Sequence, residues 1–152
     1  MVSAEGQVQR ALEELRQLAR GIHPRVLSEA GLEGALRSLV DGFPIPVHLE
    51  IETIRWPPHV EAAAYFVCAE GLTNVAKYAS ASRARVSVIA RGTHLAVVVE
   101  DDGVGGADPA RGSGLRGLAD RVAILGGTIR VDSDAGRGTR LAAEIPLGGE
   151  DR

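Results

Sequence analysis

The sequence predicts an α+β domain: a two-layer sandwich whose mixed, mostly antiparallel sheet carries its helices on one face. Three observations predict it. Apolar residues at Val60, Ala63, Ala64, Val67, Gly71, Val75 and Ala79 recur with a period of about 3.6, the mark of a helix packed on a core. Several shorter segments alternate apolar and polar residues, as half-buried strands do. The elements run α-α-β-α-β-β-α-β-β, with adjacent strands joined by short turns rather than by strict βαβ alternation, so most neighbours pair antiparallel.

The elements follow in chain order. Residues 4–21 form an amphipathic pattern, with Val8, Leu12, Leu15, Leu18 and Ala19 on one face, and Gly21 and Pro24 bracket its end. A helix of this length cannot bury its stripe alone, so it reads as a piece of something longer or as a docking element. Ser28 is expected to cap a second helix running to about Asp41, with Leu32, Ala35, Leu36, Leu39 and Val40 inward. Pro44-Ile-Pro46 ends that helix, and residues 47–53 alternate as a first strand. Pro57 and Pro58 stand where proline can start a helix but not continue one, and the central helix is expected over 59–79. Residues 84–90 and 95–101 are strands joined by Arg91-Gly-Thr-His94, an antiparallel hairpin. Residues 103–113 lack periodicity, are rich in glycine and contain Pro109, the composition of a mobile loop. A helix over 114–125 stops at Gly126-Gly127, and strands over 128–133 and 139–146 are joined by Asp134-Ala-Gly-Arg-Gly138. Residues 149–152 are a polar tail.

At 152 residues the chain suits one domain. Aromatic residues make up only 3% of it, so the core must be built from Ala, Val, Leu and Ile. The net charge of −3, with basic residues scattered, gives no nucleic-acid footprint. Apolar runs fall short of a membrane span and no signal peptide starts the chain, so a soluble, cytoplasmic domain is expected. Cys68 is the single cysteine, which excludes a disulfide framework and suits a small buried hydrophobe.

Three sets of residues carry chemistry. Glu70, Asn74 and Lys77 sit at i, i+4 and i+7 on the central helix and project from one face. Amide oxygen suits Mg2+ and an ammonium suits phosphate, so the stripe can hold a metal–phosphate pair. Of seventeen Lys and Arg residues only Lys77 is lysine. Taken alone, the same stripe also describes a solvated helix face. Asp101-Asp-Gly-Val-Gly105 follows directly from a strand. There a carboxylate can accept from an exocyclic amine, and glycines let a flat ring approach the backbone. Gly112-Ser-Gly114-Leu-Arg-Gly117 matches the dinucleotide fingerprint in form, with Asp132 beyond it. That fingerprint needs a strand ending at its first glycine, which is missing here; what survives is glycine amides at a helix N-terminus, suited to phosphate. Gly136-Arg-Gly138-Thr139 is a third glycine site, on its own a hairpin turn.

In this order the pieces are specific: a Glu/Asn/Lys helix, a strand into Asp-x-Gly-x-Gly, a loose loop, a Gly-x-Gly-Leu helix, then Gly-x-Gly-Thr into a last strand. The order resembles the ATP-binding domain of the GHKL superfamily (gyrase B, MutL, histidine kinases) over about residues 32–147. Leu125-Gly-Gly, Ser133-x-x-Gly136-x-Gly-Thr139 and Ile145-Pro146 resemble its sensor histidine kinase branch. Residues 15–32 are similar to the nitrate-sensor and DesK-type subgroup, where they join a dimerisation domain to the ATPase domain. The resemblance implies a Bergerat ATP-binding fold over 28–148, with residues 1–27 the remnant of a second dimerisation helix and linker. It implies ATP and Mg2+ as ligands, with Glu70 and Asn74 catalytic and Asn74 the metal ligand. Asp101 would accept from the adenine amine, Gly103 and Gly105 would shape the adenine pocket, and Thr139 would support it. Lys77 would touch phosphates, while Gly112, Gly114 and Leu115 would close over the triphosphate. Glu70 would orient water or the attacking group, or organise the metal shell. Where the family often has histidine after the lysine, this chain has Tyr78.

The family's phosphoacceptor histidine is followed by an acidic residue. Here His23, His48, His59 and His94 are followed by Pro, Leu, Val and Leu. The function expected is the catalytic ATP-binding domain of a two-component sensor histidine kinase, acting on a histidine of a dimerisation domain not contained in this chain, with a response regulator downstream. The alternatives are an anti-sigma-factor-type serine kinase and a non-catalytic ATP-gated interaction module.

Overall fold

The computed structural model describes residues 25–106 and 113–148. The expected helix over 4–21, His23, most of the 103–113 loop with Gly112, and the tail lie outside the described residues. The elements are α1 (Arg25–Val40), β1 (Val47–Ile51), α2 (Pro58–Asn74), a π-helical turn (Val75–Ala79), β2 (Ala84–Arg91), β3 (His94–Asp101), α3 (Ser113–Ile124), β4 (Thr128–Ser133) and β5 (Thr139–Pro146). The five strands form one sheet in the order β1-β2-β3-β5-β4. Only β1 and β2 run parallel; β2–β3, β3–β5 and β5–β4 are antiparallel. The hairpin expected between residues 84 and 101 forms in full register, Ala84 opposite Asp101 and Arg91 opposite His94.

Helix α2 is the centre of the core. From Val60 to Thr73 every residue except Ala62 is buried, and Val60, Val67, Leu72 and Tyr65 meet Val86, Val88, Leu95 and Val97 of the sheet in one cluster. Each fully buried Val, Leu or Ile contributes roughly 1.5–3 kcal/mol. Cys68 is a free, fully buried thiol, pushed well up from its ordinary range by burial, and packs as a small hydrophobe.

Helix α2 starts as its prolines suggest: Pro58 occupies its first turn, and the Pro57 carbonyl accepts from the Val60 and Glu61 amides at 2.9 and 3.0 Å. Glu61 is buried, at 1% exposure, although nothing in its local pattern marks it as such. Its carboxylate accepts from Arg55 Nε (3.0 Å), Arg55 Nη2 (3.2 Å) and the Trp56 amide (3.0 Å). A buried carboxylate is tolerated when charge-assisted hydrogen bonds replace its water. This clasp ties the 52–57 linker to the first turn of α2.

Several element ends differ from expectation by a residue, and three differ for a physical reason. Helix α1 is already running at Arg25 and breaks at Gly31, whose backbone (φ 72°, ψ −178°) is not helical, so Ser28 lies inside a helical segment rather than capping one. Strand β1 ends at Ile51, not Thr53, because the Glu52 side chain takes over the pairing: its Oε1 accepts from the Ala90 amide at 2.7 Å. The central helix changes winding after Asn74 and ends at Ser80, in the left-handed conformation at φ 51°.

Candidate functional site

Strand directions decide which predicted residues meet. Asp101, last in β3, pairs with Ala84, first in β2, and with Thr139, first in β5. Helix α2 leads through the π turn into the start of β2, so its C-terminal end lies at that edge; α3 leads into β4, which starts at the opposite end of the sheet with Thr128 across from Glu144, so its first turn lies towards the Asp101 end. Asn74, Asp101, the first turn of α3 and Thr139 thus share one end of the sheet. His94 pairs with Arg91 and Pro146 at the opposite end.

A glycine sets the depth of α2 over that edge. A methyl group at Gly71 would stand 3.0 Å from Cβ and both Cγ atoms of Val99, two residues before Asp101. Glycine inside a helix costs about 1 kcal/mol relative to alanine, and here it allows the helix to lie directly on the strand. The pattern carried that signal, because Gly71 stands between Glu70 and Asn74 where alanine would serve the helix better.

The Glu/Asn/Lys stripe spans a gradient of burial. Glu70 is 8% exposed, Asn74 is half-buried and Lys77 is exposed. Burial pushes the Glu70 carboxyl up from its ordinary range, opposed by the positive charge of Lys77, so Glu70 is a better proton acceptor than a solvated carboxylate. Lys77 lies in the π turn, a winding often found at functional sites. Next to Asn74 the Thr73 hydroxyl is buried and has no partner among the described residues. The oxygen donors of Asn74 and Glu70 one turn apart fit a magnesium ion, which takes one or two protein ligands beside phosphate oxygens.

The two aspartates of Asp101-Asp102 have different tasks. Asp102 clasps the segment after the π turn. Its carboxylate accepts from the Ser82 hydroxyl, the Ser82 amide (2.9 Å) and the Arg83 amide (3.1 Å). The Ser82 hydroxyl first, then the Arg83 and Ser82 amides, hold its pKa down at about 2 from 3.8. A depressed carboxyl stabilises the fold above its unfolded pKa and loses that contribution as pH falls through the folded one. The expected outcome is that wild type loses stability between pH 4 and 2 more steeply than Asp102→Asn in acid unfolding monitored by circular dichroism. Asp101 Oδ1 accepts from the Gly103 amide at 2.8 Å, and Oδ2 has no bond among the described residues.

Gly105 and Gly138 each allow a close approach of backbone to backbone. A Cβ on Gly105 (φ +67°) would fall 2.0 Å from the Asp134 carbonyl oxygen, and one on Gly138 (φ +78°) 2.1 Å from that of Asp101. The Gly136 amide donates to the Val104 carbonyl at 2.7 Å. The Asp101 loop and the β4–β5 turn are therefore interlocked backbone to backbone. Thr139 joins this wall through its hydroxyl, 2.6 Å from that of Ser133. Gly103 is half-buried. Gly114 and Leu115 are in the first turn of α3, with the Leu115 side chain packed against the core.

Comparisons with known proteins agree with this fold. The family model described as "Histidine kinase-, DNA gyrase B-, and HSP90-like ATPase" matches residues 59–149. The oxygen sensor histidine kinase NreB of Staphylococcus carnosus (strain TM300) is 31% identical over 153 residues, which cover 94% of this chain and 44% of that protein. The chain thus spans less than half of the curated relative it matches. The histidine kinase domain of the blue-light activated histidine kinase from Erythrobacter litoralis EL346 superimposes with a TM-score of 0.67 at 24% identity, covering 97% of this chain and 76% of that one. The Acinetobacter baumannii histidine kinase AdeS gives 0.61 at 15% identity over 92% and 77%; at these identities the two structures show the shared fold. Among the described residues no helix is long and apolar enough to cross a membrane.

Proposed function

This chain belongs to the histidine kinase-, DNA gyrase B- and HSP90-like ATPase family and is of its sensor histidine kinase type, and on that premise we propose that it transfers the γ-phosphoryl group of ATP to a histidine of a dimerisation domain outside residues 1–152. The observation that carries this reading is the meeting of Asn74, Asp101, the first turn of α3 and Thr139 at one sheet end. The relative's match across 94% of the chain supports assigning residues 1–27 to the junction with that dimerisation domain and 28–148 to the ATPase domain. The same match weighs against an anti-sigma-factor-type serine kinase. The working location is the cytoplasmic side, with a response regulator as the next phosphoryl acceptor.

Asp101 accepts a hydrogen bond from the adenine amine through Oδ2, while Gly103 holds Oδ1. Gly105 keeps the pocket wall in place through its contact with the β4–β5 turn, and Thr139 braces it. Lys77 meets the distal phosphates as a point charge. Gly112, Gly114 and Leu115 belong to the segment that covers the triphosphate, with backbone amides directed at its oxygens. A magnesium ion held by the Asn74 amide oxygen would neutralise charge on the phosphates. Glu70, raised by burial, takes the proton or orients the attacking nitrogen. Catalysis of this kind rests on positioning and charge neutralisation rather than on covalent chemistry by the protein.

Asn74→Ala is expected to abolish the Mg2+-dependent tightening of ATP binding while leaving AMP affinity largely intact. Lys77→Ala is expected to weaken ATP more than AMP. Calorimetric titrations with and without Mg2+ check both; normal Mg–ATP binding by both variants returns the stripe to a solvated surface.

A further inference from the structure

On the reading of this sheet end as an adenine nucleotide site, we infer that Ser133 is a positioning residue for the base: its hydroxyl donates to that of Thr139 and so leaves the Thr139 proton for an acceptor nitrogen of the adenine ring. Ser133 acts through Thr139 rather than on the base itself.

Strand register sets four side chains in one row. Ala84 of β2 pairs with Asp101 of β3, Asp101 with Thr139 of β5, and Thr139 with Ser133 of β4. Direct cross-strand partners share a face, and successive side chains alternate between faces. Val99 and Leu141, two residues further in on β3 and β5, are 2% and 3% exposed, so the row lies on the helix-covered face at the nucleotide end. The next row inward is Val86, Val99, Leu141 and Val131, all apolar. The polar groups are thus confined to the outermost row, at the rim of the core.

Gly138 fixes the spacing within that row. A Cβ there would fall 2.1 Å from the Asp101 carbonyl oxygen, so the start of β5 is held against the end of β3, and Thr139 follows directly.

The members of the row offer different chemistry. Ala84 offers no hydrogen bond, and a carboxylate at Asp101 only accepts. Adenine presents a donor amine flanked on either side by an acceptor ring nitrogen. A site that meets the amine with Asp101 therefore needs a donor beside it, and within the row Thr139 is the neighbour that can supply one. A hydroxyl has a single proton and two acceptor lone pairs. The Thr139 and Ser133 hydroxyl oxygens stand 2.6 Å apart, a bond in which either can be the donor. Were Thr139 to donate, its proton would be spent in the wall and only lone pairs would face the ring nitrogen. With Ser133 donating, the Thr139 proton turns to the base, directly or through a bridging water. Ser133 has a further interaction of its own; Thr139 is the partner that links it to Asp101.

The test titrates the full chain by calorimetry with ATP, AMP and two ATP analogues, in each of which one of the ring nitrogens flanking the amine is replaced by CH. Ser133→Ala is expected to lower ATP affinity about two- to tenfold, the worth of one neutral hydrogen bond. AMP should lose the same factor, because it carries the same base. One analogue should lose that factor too, while the other, which lacks the nitrogen that Thr139 serves, should bind Ser133→Ala as it binds wild type. Ser133→Thr, which keeps a hydroxyl, should restore the wild-type pattern. If Ser133→Ala fails to fold, Ser133→Cys, close in size with a weak donor, carries the comparison. Unchanged ATP affinity in the folded variant, or an equal loss for ATP and both analogues, overturns the positioning role and leaves the nucleotide site standing. A wild-type chain that binds none of the four ligands overturns the nucleotide site itself.

Discussion

Incubated alone with labelled Mg–ATP, the chain is expected to bind nucleotide and gain no acid-labile, base-stable phosphate. An acceptor nitrogen must lie in line with the γ-phosphate at near-attack distance, and the histidines of the described residues do not meet that demand. His94 lies at the end of the sheet opposite Asp101, bonded through Nδ1 to the Thr93 hydroxyl at 3.0 Å. His59 is exposed in the first turn of α2, at the far end of that helix from Asn74. His48 projects outward from β1, an edge strand two positions from β3. His23 lies outside the described residues and is followed by proline rather than by an acidic residue. Supplying a histidine-bearing dimerisation helix should produce labelling on that added helix. The effect is all-or-none, read by autoradiography after acid and base treatment. Stoichiometric phosphohistidine on the isolated chain would make His23 the first residue to mutate and would remove the need for an external acceptor.

Asp101→Asn should weaken ATP binding by about 1.5–3 kcal/mol, roughly 10- to 150-fold, the worth of one charge-assisted hydrogen bond. Oδ1 of Asp101 is already committed to the Gly103 amide, so an asparagine would satisfy that amide with its carbonyl and direct its NH2 group at the adenine amine, donor against donor. Thermal stability should change little. The same substitution at Asp102 should do the reverse, disturbing the Ser82–Arg83 clasp without discriminating among nucleotides. Wild-type ATP affinity in Asp101→Asn would remove Asp101 from the site.

The elements were legible because each rests on a local pattern: the apolar stripe of α2 and the alternation of the strands mark buried faces directly. Their order exposed the family, because Asp-x-Gly-x-Gly after a strand and Gly-x-Gly-Thr before one need particular neighbours. What escaped depended on residues brought together by the fold. The apolar stripe continues past Asn74 in sequence, so the π turn that carries Lys77 left no local mark. Glu61 reads as an ordinary acidic residue in a first turn; its burial depends on Arg55, in a linker with no periodicity. Gly105 reads as room for a ligand ring, whereas its missing side chain leaves space that the Asp134 carbonyl, distant in sequence, occupies. Phe66 and Arg121 each fit an amphipathic helix, and their contact needs both helices in place.

The most direct measurement is a pair of calorimetric titrations of the wild-type chain with Mg–ATP and Mg–GTP. A carboxylate at Asp101 accepts from the exocyclic amine of adenine, whereas guanine presents a carbonyl oxygen there, acceptor against acceptor. ATP should bind and GTP should bind at least about tenfold more weakly, the cost of leaving one such hydrogen bond unmade, and Asp101→Asn should narrow the gap. Equal affinities for the two nucleotides, or binding of neither, would contradict an adenine nucleotide site at the end of β3.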